Sequence, residues 1–150
     1  MKVVLQKVSQ ASVTVDSKVI SSIRKGYMLL VGISTEDDKN DINKLSNKVL
    51  NLRIFEDEQD NLWKKNIKEV NGEILSISQF TLLARTKKGT KPDFHMAQKG
   101  HIAKELYADF LSELRAGLTP ESVQDGEFGA MMSCQLCNEG PITIILDSKQ

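Results

Sequence analysis

The chain of 150 residues is poor in the side chains that most often do chemistry: two histidines, two cysteines and three prolines. A Ser-His-Asp or Cys-His arrangement needs a histidine as its base. His95 and His101 both fall in or beside the start of a basic helical stretch, with no motif around them. Cys134 and Cys137 form a C-x-x-C, but within a strand-like run. A redox pair places its first cysteine at a helix N-terminus, where the thiolate is stabilised, and residues three apart on a strand point to opposite faces. A structural zinc site needs two further ligands, and the two histidines are not at ligand spacing. Both cysteines therefore read as packing residues, and no metal or cofactor is expected. There is no G-x-x-x-x-G-K-[ST] loop and no G-x-G-x-x-G. No apolar run approaches the ~20 residues of a membrane span, and MKVVLQKVSQ lacks a signal-peptide core. Twenty basic residues balance twenty acidic ones. Bulk attraction to DNA, RNA or a membrane is thus not expected, and any RNA contact must come from a local basic patch. The expected setting is cytoplasmic.

What is present suits one domain over residues 1–150. Apolar residues make up 40% and charged residues 27%, as in an ordinary globular protein with room for a core. Lys2–Val8, Val13–Val15 and Val19–Ile23 read as short strands, and Tyr27–Ile33 as a strand buried on both faces. Tight turns between them suggest an antiparallel meander. Thr35-Glu36-Asp37-Asp38 resembles a capping box, and Ile42, Leu45, Val49 and Leu50 recur at helical spacing up to about Asn51. Arg53–Phe55 reads as a short strand. Asn71-Gly72 is a turn signal, and Glu73–Leu83 follows as a strand. Asp93 is placed to cap a second helix over about His95–Ala116, with Ile102, Leu106, Phe110 and Leu114 on one stripe; Gly100 costs that helix about 1 kcal/mol relative to Ala. The fold class is α+β: many short, mainly antiparallel strands and two helices.

Three stretches carry the functional argument. In Ser133–Asp147, two apolar runs flank Asn138-Glu139-Gly140-Pro141, which reads as strand, tight turn, strand. A hairpin with an ordinary trans proline is the commoner outcome, since only about 5–6% of X-Pro bonds are cis; a cis Gly140-Pro141 is the alternative, and it would push two adjacent carbonyl oxygens out of a rigid loop. Ser78-Gln79-Phe80-Thr81-Leu82 puts two hydroxyls and an amide near a strand end. Immediately after comes a basic loop with Arg85, Lys87, Lys88 and Lys91. Taken singly, polar strand residues are ordinarily just a solvated face, and so is a run of charge.

Taken together, SQFTL at 78–82, the basic segment running into KPDF at 91–94, FGA at 128–130 and NEGPIT at 138–143 resemble the D-aminoacyl-tRNA deacylases, in order and at family-like spacing. The opening MKVVLQKVSQASVTVD and NLRIFED at 51–57 resemble them too, so the likeness spans the chain. The resemblance implies the deacylase fold with a barrel-like sheet. It implies hydrolysis of the ester between a D-amino acid and the 3′-terminal adenosine of tRNA, by a homodimer. Gly140-Pro141 would be cis and inserted into the partner's active site, reading chirality by excluding the side chain of an L-amino acid. Glycine has no side chain to exclude, so glycyl-tRNA would be cleaved as well. Backbone N–H groups around Phe80 and Thr81 would stabilise developing charge, with the 2′-hydroxyl of the adenosine assisting. Ser78 and Gln79 would shape the adenosine pocket. Thr81 lacks an activating base, and a positioning role is favoured over a nucleophilic one. Arg85, Lys87, Lys88 and Lys91 would meet phosphates. Asn138 and Thr143 would support the Gly-Pro loop.

The sequence departs from the family pattern at a few points. Lys7 replaces a usual arginine that braces the partner's loop, keeping the charge without the planar fork. Trp-Lys-Lys-Asn within 62–73 replaces Met-Asn-Leu-Ser, Lys91 stands where arginine is common, and Asp93 where serine is.

Overall fold

A computed structural model describes all residues, 1–150. Its organising element is β1, a continuous strand over Lys2–Val15. β2 (Lys18–Ile23), β3 (Gly26–Gly32) and β6 (Ser133–Asp147) all pair with it antiparallel. β6 follows one edge from Lys2 to Thr14. The other edge is shared, with β3 along Lys2–Val8 and β2 along Ala11–Val15. The two expected strands at the start of the chain are therefore one, and β2 and β3 are not meander neighbours.

An irregularity between Val8 and Gln10 explains how one strand serves two cores. Side chains alternate across a strand, and one extra residue flips the alternation. Val3 and Leu5 point into the larger core, packed against the helices. Past the irregularity, odd-numbered Ala11 and Val13 point into a smaller core with Ile23, Met28, Leu75 and Ile77.

β3 is buried almost throughout, as its unbroken apolar run demands. It pairs in parallel with β4 (Glu73–Ser78), and β4 in parallel with β5 (Val123–Asp125). Parallel neighbours need crossovers, supplied here by segments carrying α1 (Lys39–Asn51) and α2 (Gly100–Gly117). The Ser21 hydroxyl donates to the Asp125 carbonyl and ties β2 to β5. The result is a nearly closed, barrel-like mixed sheet with two helices on its outer face.

α1 follows its sequence pattern: Ile42, Leu45, Val49 and Leu50 are all buried. Its capping box lies three residues past the expected Thr35–Asp38 one: the cap is Asp38, whose carboxylate accepts from Asn40 N at 2.8 Å, while Asp41 accepts from Asp38 N at 2.9 Å. α2 differs from expectation. It begins at Gly100, not His95, and Asp93 does not cap it. Gly100, with φ +64°, occupies the entrance in a conformation few other residues adopt, so it is no interior weakness. The buried stripe is Ala103, Tyr107, Phe110, Leu111 and Leu114; Ile102 is exposed and Leu106 half-buried.

Three further expectations are corrected. Phe55 forms only an isolated bridge to Lys65, not a strand. The strand from Glu73 ends at Ser78, and Phe80–Leu83 is a 3₁₀ turn. The C-terminal hairpin is absent, because Ser133–Asp147 is one strand. Gln6 pairs with Thr143 and Val8 with Asn138, so the residues between Asn138 and Thr143 are extruded as a bulge. Since β6 pairs only with β1, its far edge and much of its surface are open. Cys134 and Cys137 are consequently exposed, not packing residues.

Candidate active site

β4 delivers Ser78 and Gln79 to the C-terminal end of the parallel strands, where the chain turns sharply. Gln79 N donates to the Val31 carbonyl at 2.7 Å, and the 3₁₀ turn folds back across β3. Gly32 allows this: a Cβ there would lie 2.6 Å from Leu83 Cδ2 and 3.0 Å from the Gln79 carbonyl. The first N–H groups of a short helix have no partner within it. Accordingly, Phe80 N and Thr81 N donate to no protein acceptor, while Leu82 N and Ala84 N bond back to Gln79 O and Thr81 O. Gln79 Nε2 reaches Thr81 Oγ1 at 2.5 Å.

This turn borders a cleft of about 680 Å³. Ser78, Gln79 and Phe80 form one side, and Phe94 with Gln98–Gly100 another. The segment Phe128–Met132 closes a third, with Tyr107 of α2 also in the lining. Phe80 meets Phe94 edge-on, their centroids 5.1 Å apart. Thr81 is exposed at the rim and does not line the cleft.

The basic loop stands beside the turn. Arg85 and Asp93 exchange main-chain hydrogen bonds of 2.8 and 2.9 Å, making residues 86–92 an exposed tip. Arg85, Lys87, Lys88 and Lys91 are all exposed, and none pairs with a carboxylate. Asp93 instead bonds His95, whose backbone N–H and ring hold the Asp93 carboxyl below its usual range.

The Gly-Pro element lies elsewhere. Gly140-Pro141 is cis, both residues are exposed, and neither lines the chain's own cleft. Asn138 braces the bulge from inside. Its Nδ2 donates to the Lys7 carbonyl at 2.9 Å and to the Ile142 carbonyl at 3.0 Å, and its Oδ1 accepts from Thr143 Oγ1 at 3.2 Å. The Lys7 side chain is turned inward. It is 6% exposed, lies over the Phe55 ring and bonds Glu56 at 2.7 Å. That bond is the main reason the Glu56 carboxyl sits below the ordinary carboxylate range.

The fold thus brings Ser78, Gln79 and Phe80 together at the cleft, with Thr81 and the basic loop at its edge. It keeps Asn138, Gly140, Pro141, Thr143 and Lys7 apart from that cleft within one chain. A polar cluster escaped the sequence reading. Tyr107 OH donates to Asp125 Oδ1 at 2.6 Å and bonds Ser76 Oγ at 3.1 Å. Burial raises both the Tyr107 hydroxyl and the Asp125 carboxyl above their ordinary values. The available signal was a tyrosine among apolar helix positions, since a buried phenol needs a partner; which partner could not be read. No group of three or more His, Cys, Asp or Glu side chains is assembled in a way that would hold a metal ion.

A cleft edged with free main-chain N–H groups and unpaired cations has the makings of a hydrolase for an anionic substrate, one that works by positioning and charge stabilisation. Comparison with known proteins narrows this class. The family model described as D-Tyr-tRNA(Tyr) deacylase matches residues 4–147. The chain is 77% identical to the D-aminoacyl-tRNA deacylase of Saccharomyces cerevisiae, over 100% of both chains. Among solved structures, it superposes with a TM-score of 0.93 at 46% identity on the c-Myc DNA Unwinding Element Binding Protein, covering 98% of each chain. It also shares the fold of a probable eukaryotic D-amino acid tRNA deacylase, with a TM-score of 0.83 at 17% identity and 97% of each chain covered. The chain belongs to the D-Tyr-tRNA(Tyr) deacylase family, and it is a hydrolase.

Proposed function

We propose that this chain hydrolyses the ester joining a D-amino acid to the 3′-terminal adenosine of tRNA, releasing the free amino acid and tRNA. Water adds to the ester carbonyl, the ester C–O bond breaks, and the proton goes to the adenosine oxygen. An aminoacyl ester is already activated, so the demand is for positioning and for donors aimed at the oxyanion. Phe80 N and Thr81 N, with no acceptor of their own, are suited to that task. Thr81 has no base beside it: its hydroxyl bonds only the Gln79 amide, which favours positioning over nucleophilic attack. Ser78 and Gln79 shape the place for the adenosine, whose 2′-hydroxyl assists. Arg85, Lys87, Lys88 and Lys91 meet phosphates.

The enzyme works as a homodimer, in the cytoplasm. The observation that carries this reading is a Gly-Pro bulge that is exposed and internally braced, yet absent from its own chain's cleft. The open edge of β6, with Ile145 72% exposed on that strand, offers a surface for a second copy. In the dimer each bulge enters the partner's cleft and occupies the volume an L-side chain would need. Lys7 serves the bulge through its carbonyl, on its own chain.

The test is deacylation of D-tyrosyl-, L-tyrosyl- and glycyl-tRNA by the wild-type protein and by Thr81→Ala. Loss of the D and glycyl esters with the L ester spared is the expected result, with Thr81→Ala still active. Survival of all three esters would overturn the assignment. Retained activity of Thr81→Ala removes the nucleophile.

A further inference from the structure

The segment from Gly126 to Met132, of which Phe128–Met132 lines the cleft, is held at its two ends, at Gly126 and at Met132 against the smaller core, and little between. Between Glu127 and Met132 its only main-chain hydrogen bond is the local Ala130 N to Glu127 O. Its entry point is crowded. Gly126 N donates to the Ser76 carbonyl at 3.3 Å, and a Cβ on Gly126 would lie 2.5 Å from Met132 Sδ. Its middle is open: a Cβ on Gly129 would meet nothing within 4 Å, and Met131 is 93% exposed. One side chain contacts both the wall and the residue before it. The Tyr107 ring packs against Phe128 with centroids 5.8 Å apart, and its hydroxyl holds Asp125, the residue just before the wall begins. Ser76, fully buried on β4, contacts both Tyr107 and Gly126.

We infer that Tyr107, Asp125 and Ser76 form a positioning network that fixes the 126–132 wall and so sets how closely the cleft grips the end of its substrate. This rests on reading the cleft as the substrate site. Tyr107 lies on α2 and Ser76 on β4, both built into the large core, so the wall takes its place from rigid elements. The hydroxyl performs this task and the ring alone does not, because Phe128 is partly solvated, while Asp125, whose main chain is fixed by pairing with Ser76 and by Ser21, presents its carboxylate at the start of the wall. Burial disfavours the ionised Asp125, and the Tyr107 hydroxyl offsets part of that cost. Without the hydroxyl the carboxylate is better solvated by turning outward, and the start of the wall loses its side-chain anchor.

The experiment compares Tyr107→Phe, Asp125→Ala and Asp125→Asn in steady-state deacylation of D-tyrosyl-tRNA, with thermal unfolding alongside. Tyr107→Phe keeps the ring and removes only the hydroxyl. Its KM should rise about tenfold, the scale of one hydrogen bond to a charged group, with kcat within about twofold. Asp125→Ala should match it, Asp125→Asn should restore KM because the amide oxygen still accepts, and the Tyr107→Phe/Asp125→Ala pair should be no worse than either alone. A lowered unfolding temperature with unchanged KM in both Tyr107→Phe and Asp125→Ala would overturn the inference. Should Tyr107→Phe fail to fold, the contrast between Asp125→Ala and Asp125→Asn decides alone. Phe80→Ala separates the two levels of argument. If it raises KM while the network variants do not, only the network fails; if it too leaves KM unchanged, the cleft is not the substrate site.

Discussion

Replacing Asn138 by alanine isolates the brace beneath the Gly-Pro bulge. The side chain donates two hydrogen bonds, at 2.9 Å to Lys7 O on the facing strand β1 and at 3.0 Å to Ile142 O at the end of the extrusion. Each is worth about 0.5–1.5 kcal/mol net, so the pair contributes roughly 2 kcal/mol to holding the bulge in one shape. At 1.4 kcal/mol per factor of ten, that is a roughly 30-fold change in the population of the braced form. If the bulge excludes L-substrates only when braced, the ratio of kcat/KM for D- over L-tyrosyl-tRNA should fall by up to about 30-fold. The unfolding temperature should drop by no more than about 8 °C, given about 2–4 °C per kcal/mol for a chain of this size. Rates on both esters and a calorimetric scan measure the two quantities. A D-to-L ratio that stays unchanged while the unfolding temperature falls would refute the reasoning, because the brace would then serve the fold and not the discrimination.

Two further outcomes are expected. Lys87→Ala combined with Lys88→Ala should weaken tRNA binding and flatten the plot of log affinity against log salt by about 0.7–0.9 for each phosphate no longer neutralised, leaving the D-to-L ratio intact; an unchanged slope in a salt titration would remove the tip of the loop from the RNA interface. Glu56→Gln should destabilise the protein by roughly 2 kcal/mol at neutral pH, less than the ~3–5 of a fully buried pair, because Lys7 is buried but the Glu56 side chain is 28% exposed. The hydrogen bond from Lys7 lowers the folded-state pKa of Glu56. Its contribution is therefore complete above the unfolded value of about 4.3 and is lost as pH falls through the folded one. Unfolding midpoints of wild type and variant should differ most near pH 7 and converge in acid; a gap independent of pH would sink the assignment.

How far the sequence could be read varied with how local the cause was. β3 declared itself because an unbroken apolar run has one explanation, and α1 because Ile42, Leu45, Val49 and Leu50 share a face. Asn138–Pro141 carries turn chemistry that suits a hairpin tip and a bulge equally, and the difference lies in β1, a partner some 130 residues away. The cysteines were misplaced for the same reason, since whether a strand lies at an edge depends on its neighbours. Ser78, Gln79 and Phe80 are consecutive, and all three line one cleft. Their strand was carried too far, because Leu82 and Leu83 continue the apolar pattern through a turn. The free N–H groups of Phe80 and Thr81 belong to the backbone and have no signature in residue type. Tyr107 and Asp125 are joined by a contact between a helix and a strand end, which no spacing encodes.

The pairing of β1 with β6 also bears on how the protein is made. A ribosome delivers the chain from Lys2 onward, so one edge of β1 has to wait while 130 residues are added before Ser133–Asp147 can cover it. Contacts so distant in sequence form late and slowly, and an uncovered strand edge is a template for aggregation meanwhile. The same late segment carries Cys134, which also lines the cleft, and the Gly140-Pro141 bulge. A nascent chain of this protein therefore keeps one edge of its organising strand uncovered until translation has passed β6.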